Sequence, residues 1–198
     1  MVGIKKPLLL DLPEAFETER LIIRAPRMGD GHVLNEAISE SRERLMPWLP
    51  WAVHPQTPDE TETIIRGAVA RWQKREDLWM LMFRKSDGLC LGRTGLHQLD
   101  WAAGCYEIGY WVRTSAEGHG YAREAVAGVT DYAFQNLNAG RVEIRCDRLN
   151  ERSAAVAQRA GYTLEGTVRN NALSTDGSEL RDTLVFALLR AGWQAKRR

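Results

Sequence analysis

The chain predicts a single α+β domain, and three observations point there. Leu78 to Arg84, Leu89 to Leu99 and Cys105 to Val112 are apolar runs separated only by Ser86-Asp87-Gly88 and Ala102-Ala103-Gly104. Turns that short join neighbouring antiparallel strands. Helical periodicity flanks this block instead of alternating with it strand by strand. Over 198 residues, 44% hydrophobic and 27% charged is the balance of a soluble domain with one sizeable core. No repeat or low-complexity linker divides the chain, so residues 1–198 read as one domain with its core at about 17–189.

Leu21-Ile22-Ile23-Arg24 reads as the first strand. Asp30 then stands as an N-cap for a helix whose buried stripe is Val33, Leu34, Ala37 and Ile38. Thr57-Pro58-Asp59-Glu60 is a stronger start: threonine at the cap, proline at the first helical position and glutamate three residues after the cap. The helix it opens should bury Ile64, Ile65, Ala68, Val69 and Trp72. After the three-strand meander, Ala122, Val126, Val129, Ala133 and Leu137 recur every three or four residues, one helical face. Arg141 to Cys146 is a further strand, and a short helix from Glu151 to Ala160 stops at Gly161. Tyr162 to Arg169 and Glu179 to Leu188 close the order as two strands joined by a polar loop from Asn170 to Ser178.

Composition removes several functional classes. A net charge of +1 supplies no field for general nucleic-acid binding, although Arg141, Arg145, Arg148, Arg152 and Arg159 leave a local anion site open. Leu8-Leu9-Leu10 is cut short by Asp11, too brief for a signal peptide or a membrane span, so a cytoplasmic protein is expected. Cys90, Cys105 and Cys146 lie in apolar surroundings without metal-ligand spacing and read as small buried hydrophobes in a reducing compartment. His32, His54, His97 and His119 are scattered, and no metal is expected.

The chemistry concentrates between Tyr106 and Ala122. A strand, Tyr106-Glu107-Ile108-Gly109-Tyr110-Trp111-Val112, runs into Glu117-Gly118-His119-Gly120-Tyr121-Ala122, and a helix follows. A glycine turn opening a helix leaves several amides pointing at one spot, which suits phosphate. A dinucleotide fingerprint fits poorly. Arg123 occupies the place of its third glycine, and the preceding strand belongs to a meander and not to a βαβ unit.

These two motifs resemble the acetyl-coenzyme A loop of the GNAT N-acetyltransferases. Glu17-Thr18-Glu19-Arg20-Leu21, Gly95-Leu96-His97, Asn150-Glu151-Arg152-Ser153 and Gly161-Tyr162, in that order, are similar to its RimJ/RimL branch of ribosomal-protein N-terminal acetyltransferases and relatives acting on small amines. The resemblance implies direct transfer from acetyl-coenzyme A to a primary amine, without a metal, on a mostly antiparallel mixed sheet whose strands splay at the cofactor. Gly118, His119, Gly120, Tyr121 and Ala122 would hold the pyrophosphate, with Arg113, His119 and Arg123 offsetting the charge of Glu117, which stands where the family usually has Gln or Arg. An amide at Trp111 or Val112 would polarise the thioester, Asn150 would contact the pantetheine and Ser153 the sulfur.

Glu107 is the first candidate base and Glu143 the second, with water as a third possibility. Trp48 and Trp51, in the aromatic loop Met46-Pro47-Trp48-Leu49-Pro50-Trp51, and Asn170 are candidates for the acceptor pocket. Asn170-Asn171-Ala172 lacks the carboxylate that RimL-like members often carry there. The acceptor is left as a small amine, an aminoacyl-nucleotide or a protein N-terminus. A ribosomal-protein N-terminal acetyltransferase proper, and a catalytically silent coenzyme A-binding module, are the alternatives; a homodimer is compatible with either.

Overall fold

A computed structural model describes residues 3–195. Eight strands form one sheet in the order β1-β2-β3-β4-β5-β6-β8-β7. They are β1 (Ala15–Glu17), β2 (Leu21–Arg24), β3 (Leu78–Arg84), β4 (Cys90–Asp100), β5 (Cys105–Val112), β6 (Arg141–Asp147), β7 (Thr163–Leu173) and β8 (Leu180–Leu189). The helices are α1 (Gly31–Leu45), α2 (Pro58–Gln73), α3 (Tyr121–Asn136), α4 (Glu151–Arg159) and α5 (Arg190–Ala195). All neighbouring strands are antiparallel except β5 and β6, which run parallel. The α+β class is as the pattern predicts, and the meander is β3-β4-β5. Short β1 and terminal α5 are additions to the expected list.

The sheet is covered on both faces, and β3 shows how. Leu78, Met80 and Met82 point into a core with Val126 and Val129 of α3, while Trp79 and Leu81 join Leu34, Ile38 and Ile65 of α1 and α2 on the other face. An uninterrupted apolar strand is what burial on two faces requires.

The start of α2 matches its sequence signal in detail. Thr57 Oγ1 accepts from the Glu60 amide at 3.2 Å, and Glu60 Oε2 accepts from the Thr57 amide at 2.7 Å. The start of α1 does not. Asp30 precedes the helix but makes no side-chain cap bond. Its carboxylate instead accepts two 2.7 Å bonds from the Arg24 guanidinium and one from the Arg27 amide. Glu62 of α2 does the capping, accepting from the amides of Gly29 and Gly31 at 3.0 Å.

Two stripe residues also fall outside the core. Val33 and Ile64 are exposed. The last hairpin is longer than expected: β7 runs to Leu173, through a register shift between Val168 and Ala172. Asn170 therefore sits in a strand bulge with φ +50°, not in an open loop.

Ile65 is fully buried and Ile64 is 38% exposed. Ile65→Ala should cost about 2–5 kcal/mol in urea denaturation and Ile64→Ala under about 1 kcal/mol. Equal losses would mean that α2 is rotated about its axis.

Candidate active site

β5 and β6 pair only at Cys105–Arg141, Tyr106–Val142 and Glu107–Glu143. Beyond Glu107 they part: β5 stays on β4 as far as Val112–Gly92, and β6 stays on β8 as far as Asp147–Thr183. A cavity of about 1020 Å³ fills the gap. Its lining includes Gly118 and Gly120 as well as Trp48 and Glu107.

The ladder alternation decides which amides face that gap. Arg113 N–H donates to the Leu91 carbonyl at 2.7 Å, and the β4–β5 register is unbroken from Val112 back to Glu107. Alternate residues therefore spend their amides on β4, Trp111 among them. The amides of Ile108, Tyr110 and Val112 point the other way, into the gap. Of the two expected amides, only that of Val112 is aimed at the cavity.

Side chains of β5 alternate too. Tyr106, Ile108, Tyr110 and Val112 face the α3 core, and Trp111 faces α1 and α2. Glu107 and Gly109 share the Trp111 face. The gap thus has chemistry on both sides of the sheet.

On the α3 side lies the glycine turn expected to cradle phosphate. Gly118 (φ +78°) and Gly120 (φ +82°) both occupy the left-handed region that side chains resist. Gly120 is the N-cap of α3 and has no side chain to occupy the first-turn amides. Glu124 sits in that first turn, where a bare carboxylate would oppose a phosphate. It is held instead by Thr18 Oγ1 at 2.5 Å and by Arg20 at 2.7 Å. Arg20 also donates to the His119 carbonyl at 2.9 Å, which fixes the turn from outside.

Glu117 is offset by a residue other than those expected. Arg152 of α4 donates to its Oε2 at 2.7 Å. Arg113 is turned away from the loop, its Nε bonded to Glu40 of α1 at 2.5 Å, and His119 folds back onto the Glu117 carbonyl at 2.9 Å. Neither Arg113 nor His119 lines the cavity, whereas Arg123, Arg152 and Arg159 do.

Asn150 caps α4, its Oδ1 accepting from the Ser153 amide at 3.0 Å. That bond brings Ser153 to the cavity wall beside Cys146. Tyr110 of β5 meets it: the phenol oxygen is 2.9 Å from Ser153 Oγ and 3.1 Å from the Ser153 carbonyl. Burial pushes the Tyr110 phenol up to about 12, so it stays protonated at any physiological pH.

On the opposite face stand Glu107 and its neighbours. Burial raises the Glu107 carboxyl above its usual range, Arg145 at 3.8 Å works against that, and Glu143 adds to it. Glu143 itself is gripped by Arg141 at 2.6 Å and Arg145 at 3.1 Å and does not line the cavity. His97, cross-strand from Glu107, lies 3.8 Å from it. Burial drives its imidazole down to about 4, helped by Arg93, so it is neutral. Gly109 makes room for it, since a Cβ there would stand 2.8 Å from His97 Nε2.

Trp48 lines this end of the cavity. Trp51 does not; it packs on Trp111 with ring centroids 5.9 Å apart and supports the wall from behind. Asn171 lines the cavity where Asn170 was expected. The backbone of Asn170 turns toward Asp182, to which its amide donates at 3.0 Å.

Residues 20–163 match the family model of the GNAT acetyltransferase domain. The chain belongs to the GNAT acetyltransferase family. A putative ribosomal N-acetyltransferase, YdaF of Bacillus subtilis, is 32% identical over 90% of this chain and 96% of its own. The fold is shared with the microcin C7 self-immunity acetyltransferase MccE, solved with acetyl-CoA and AMP (TM-score 0.81, 20% identity, 89% of this chain and 97% of that one). It is shared equally with RimL, an acetyltransferase of ribosomal L7/L12 solved with coenzyme A (TM-score 0.81, 20% identity, 91% and 98%).

This GNAT protein is therefore an acetyltransferase that draws on acetyl-coenzyme A, and the site fits that substrate. Splayed β5 amides, a side-chain-free N-cap and the lining arginines Arg123, Arg152 and Arg159 suit a thioester arm that ends in phosphates. Among the described residues no group of His, Cys, Asp or Glu is placed to hold a metal ion, and no helix is long and apolar enough to cross a membrane.

Two outcomes test this geometry. His97 is depressed to about 4 in the folded chain, so the unfolded chain binds the extra proton first. Its share of stability is complete above pH 6.5 and lost as pH falls toward 4; His97→Gln should flatten that acid limb of the melting curve, and an unchanged limb would place the imidazole in solvent. Arg152→Ala should weaken acetyl-coenzyme A about tenfold in calorimetry by leaving Glu117 unpaired, with Glu117→Gln restoring affinity in the double variant; no restoration would refute the pairing.

Proposed function

We propose that this acetyltransferase acylates the primary amine of a small acceptor carrying a planar group, in the cytoplasm. The observation that carries this reading is the acceptor end of the cavity, where Arg44 of α1 and Trp48 one turn later face the same space. A flat ring with a cation beside it suits a nucleobase or aromatic group attached to an anion. MccE, with AMP in its structure, is a fold relative that holds such a group. The name of YdaF supports the second reading, a ribosomal-protein N-terminus.

The chemistry assigned to each residue follows from the two faces of the gap. Amides from Gly118 to Ala122 bind the pyrophosphate, aided by the helix dipole and by Arg123. The pantetheine takes the place of a strand partner along β5, near Asn150, and the Val112 or Tyr110 amide polarises the thioester oxygen. The amine arrives on the face of Glu107 and must be neutral to attack. Glu107 accepts its proton directly or through water, and its raised carboxyl makes it a stronger base than an ordinary glutamate. Glu143 is the weaker candidate because its oxygens are taken by Arg141 and Arg145 and it does not line the cavity. As the new N–C bond forms and the C–S bond breaks, the electron pair leaves on sulfur, on the Ser153 face. Glu107, Ser153 and the glycine turn on one cavity favour turnover over a silent binding module.

Acetyl-coenzyme A should raise the melting temperature, and Gly120→Val should abolish the shift by closing the cradle. Stabilisation by nicotinamide nucleotides alone would refute the assignment. With an amine panel followed by thiol release, Glu107→Gln should lower kcat about 10²-fold near neutrality and less at alkaline pH, where the amine is already neutral. Trp48→Ala should raise the acceptor KM about tenfold and leave acetyl-coenzyme A unaffected. Fast acetylation of a ribosomal-protein N-terminus, with no turnover of aminoacyl-nucleotides, would give the second reading the place of the first.

A further inference from the structure

Ser153 offers one hydroxyl hydrogen, and several acceptors compete for it. The Cys146 thiol lies within its reach, the Tyr110 phenol oxygen is 2.9 Å away, and the coenzyme A sulfur would be the third. A serine whose hydrogen points at another partner contributes nothing to a departing thiolate. Something must decide its direction.

The Tyr110 phenol has one hydrogen and two acceptors, both on Ser153: the carbonyl at 3.1 Å and Oγ at 2.9 Å. In one arrangement the phenol donates to the carbonyl, and Ser153 Oγ–H donates back to the phenol. In the other the phenol donates to Oγ, which frees the serine hydrogen for the cavity. The two differ by rotation of two O–H bonds, with no movement of heavy atoms. Releasing the carbonyl costs little, because it remains the normal acceptor of the amide four residues on, at Ala157 in α4.

We propose that Tyr110 is a positioning residue for thiol departure, donating to Ser153 Oγ as the C–S bond breaks so that the serine hydrogen turns to the sulfur. The assignment rests on the Ser153 role proposed above. Before reaction the first arrangement keeps both hydroxyls paired. As negative charge grows on sulfur, the second becomes the better one, so the pair stabilises the transition state more than the bound thioester. No proton leaves the protein in this step. The phenol, held near 12 by its burial, is too weak an acid to yield its proton to a thiolate, and both hydroxyls stay protonated. The proton removed from the amine goes to the base on the other face. Neighbouring groups fit this neutral role: both hydrogen-bond partners of the phenol belong to Ser153, and the titratable group that acts on it is the Cys146 thiol.

The test is a double-mutant cycle on the full-length enzyme. Tyr110→Phe keeps the ring and its packing and removes only the hydroxyl. It should lower kcat about tenfold, the scale of one hydrogen bond to a charged group, while the acetyl-coenzyme A KM and the melting temperature change little. Ser153→Ala should lower kcat at least as much. In the Ser153→Ala background, Tyr110→Phe should have no further effect on kcat. A kcat unaffected by Tyr110→Phe, beside a slowed Ser153→Ala, would overturn the positioning role and leave Ser153 standing. Full additivity would overturn it as well, by showing that the phenol acts without the serine. If neither single variant slows turnover, the Ser153 role itself fails, and this inference with it.

Discussion

Everything at this site depends on three ladder pairs followed by none. Parallel pairing of β5 with β6 stops at Glu107–Glu143, and each strand then follows its other neighbour. A sheet interrupted in its middle would ordinarily leave costly unpaired amides. Here the freed β5 amides face the cavity, where the proposed pantetheine arm would supply the missing partner. The interruption also opens a passage between two faces that the rest of the fold keeps apart. Nucleophile and leaving group can then occupy opposite sides of one strand, the arrangement on which the roles proposed for Glu107 and Ser153 rest.

The arginines around this passage divide into two kinds. Arg20, Arg113 and Arg152 are committed to Glu124, Glu40 and Glu117, while Arg123 and Arg159 line the cavity without such a pair among the described residues. Arg20 and Arg152 neutralise the two carboxylates that flank the glycine turn, Glu124 and Glu117. Local charge is balanced at short range, and a net charge of +1 accordingly says little about the cradle. On the Glu107 face, Arg145 shares itself between Glu143 and Glu107, at 3.1 and 3.8 Å, and holds Glu107 the more loosely.

Local signals were legible in the chain, and long-range ones were not. The Thr57–Glu60 capping box, the left-handed glycines at 118 and 120 and the strand–turn–helix step need only neighbouring residues to be recognised, and all are present. The same stretch carries the family resemblance. What stayed hidden depends on pairs distant in sequence. Arg152 reaches Glu117 across 35 residues and Tyr110 reaches Ser153 across 43. His97 looked like a scattered histidine until the β4–β5 register set it across from Glu107. Trp48 and Trp51 are indistinguishable by composition, and only the turn between them sends one to the cavity and the other behind Trp111. The edge strand β7 carried no alternation to find, because it is exposed along its whole length.

The hold of Arg20 on the glycine turn gives the loop an unusual dependence. Its donor contacts the His119 carbonyl and its neighbour Glu124 from 99 and 104 positions upstream. The shape of the phosphate loop is thus partly written at the amino-terminal end of the domain. Transplanting residues 117–124 alone into another scaffold would carry the glycines but not the clamp that orients them. A chimera would need residues 18 and 20 as well, so the unit of inheritance for this cradle is a discontinuous one.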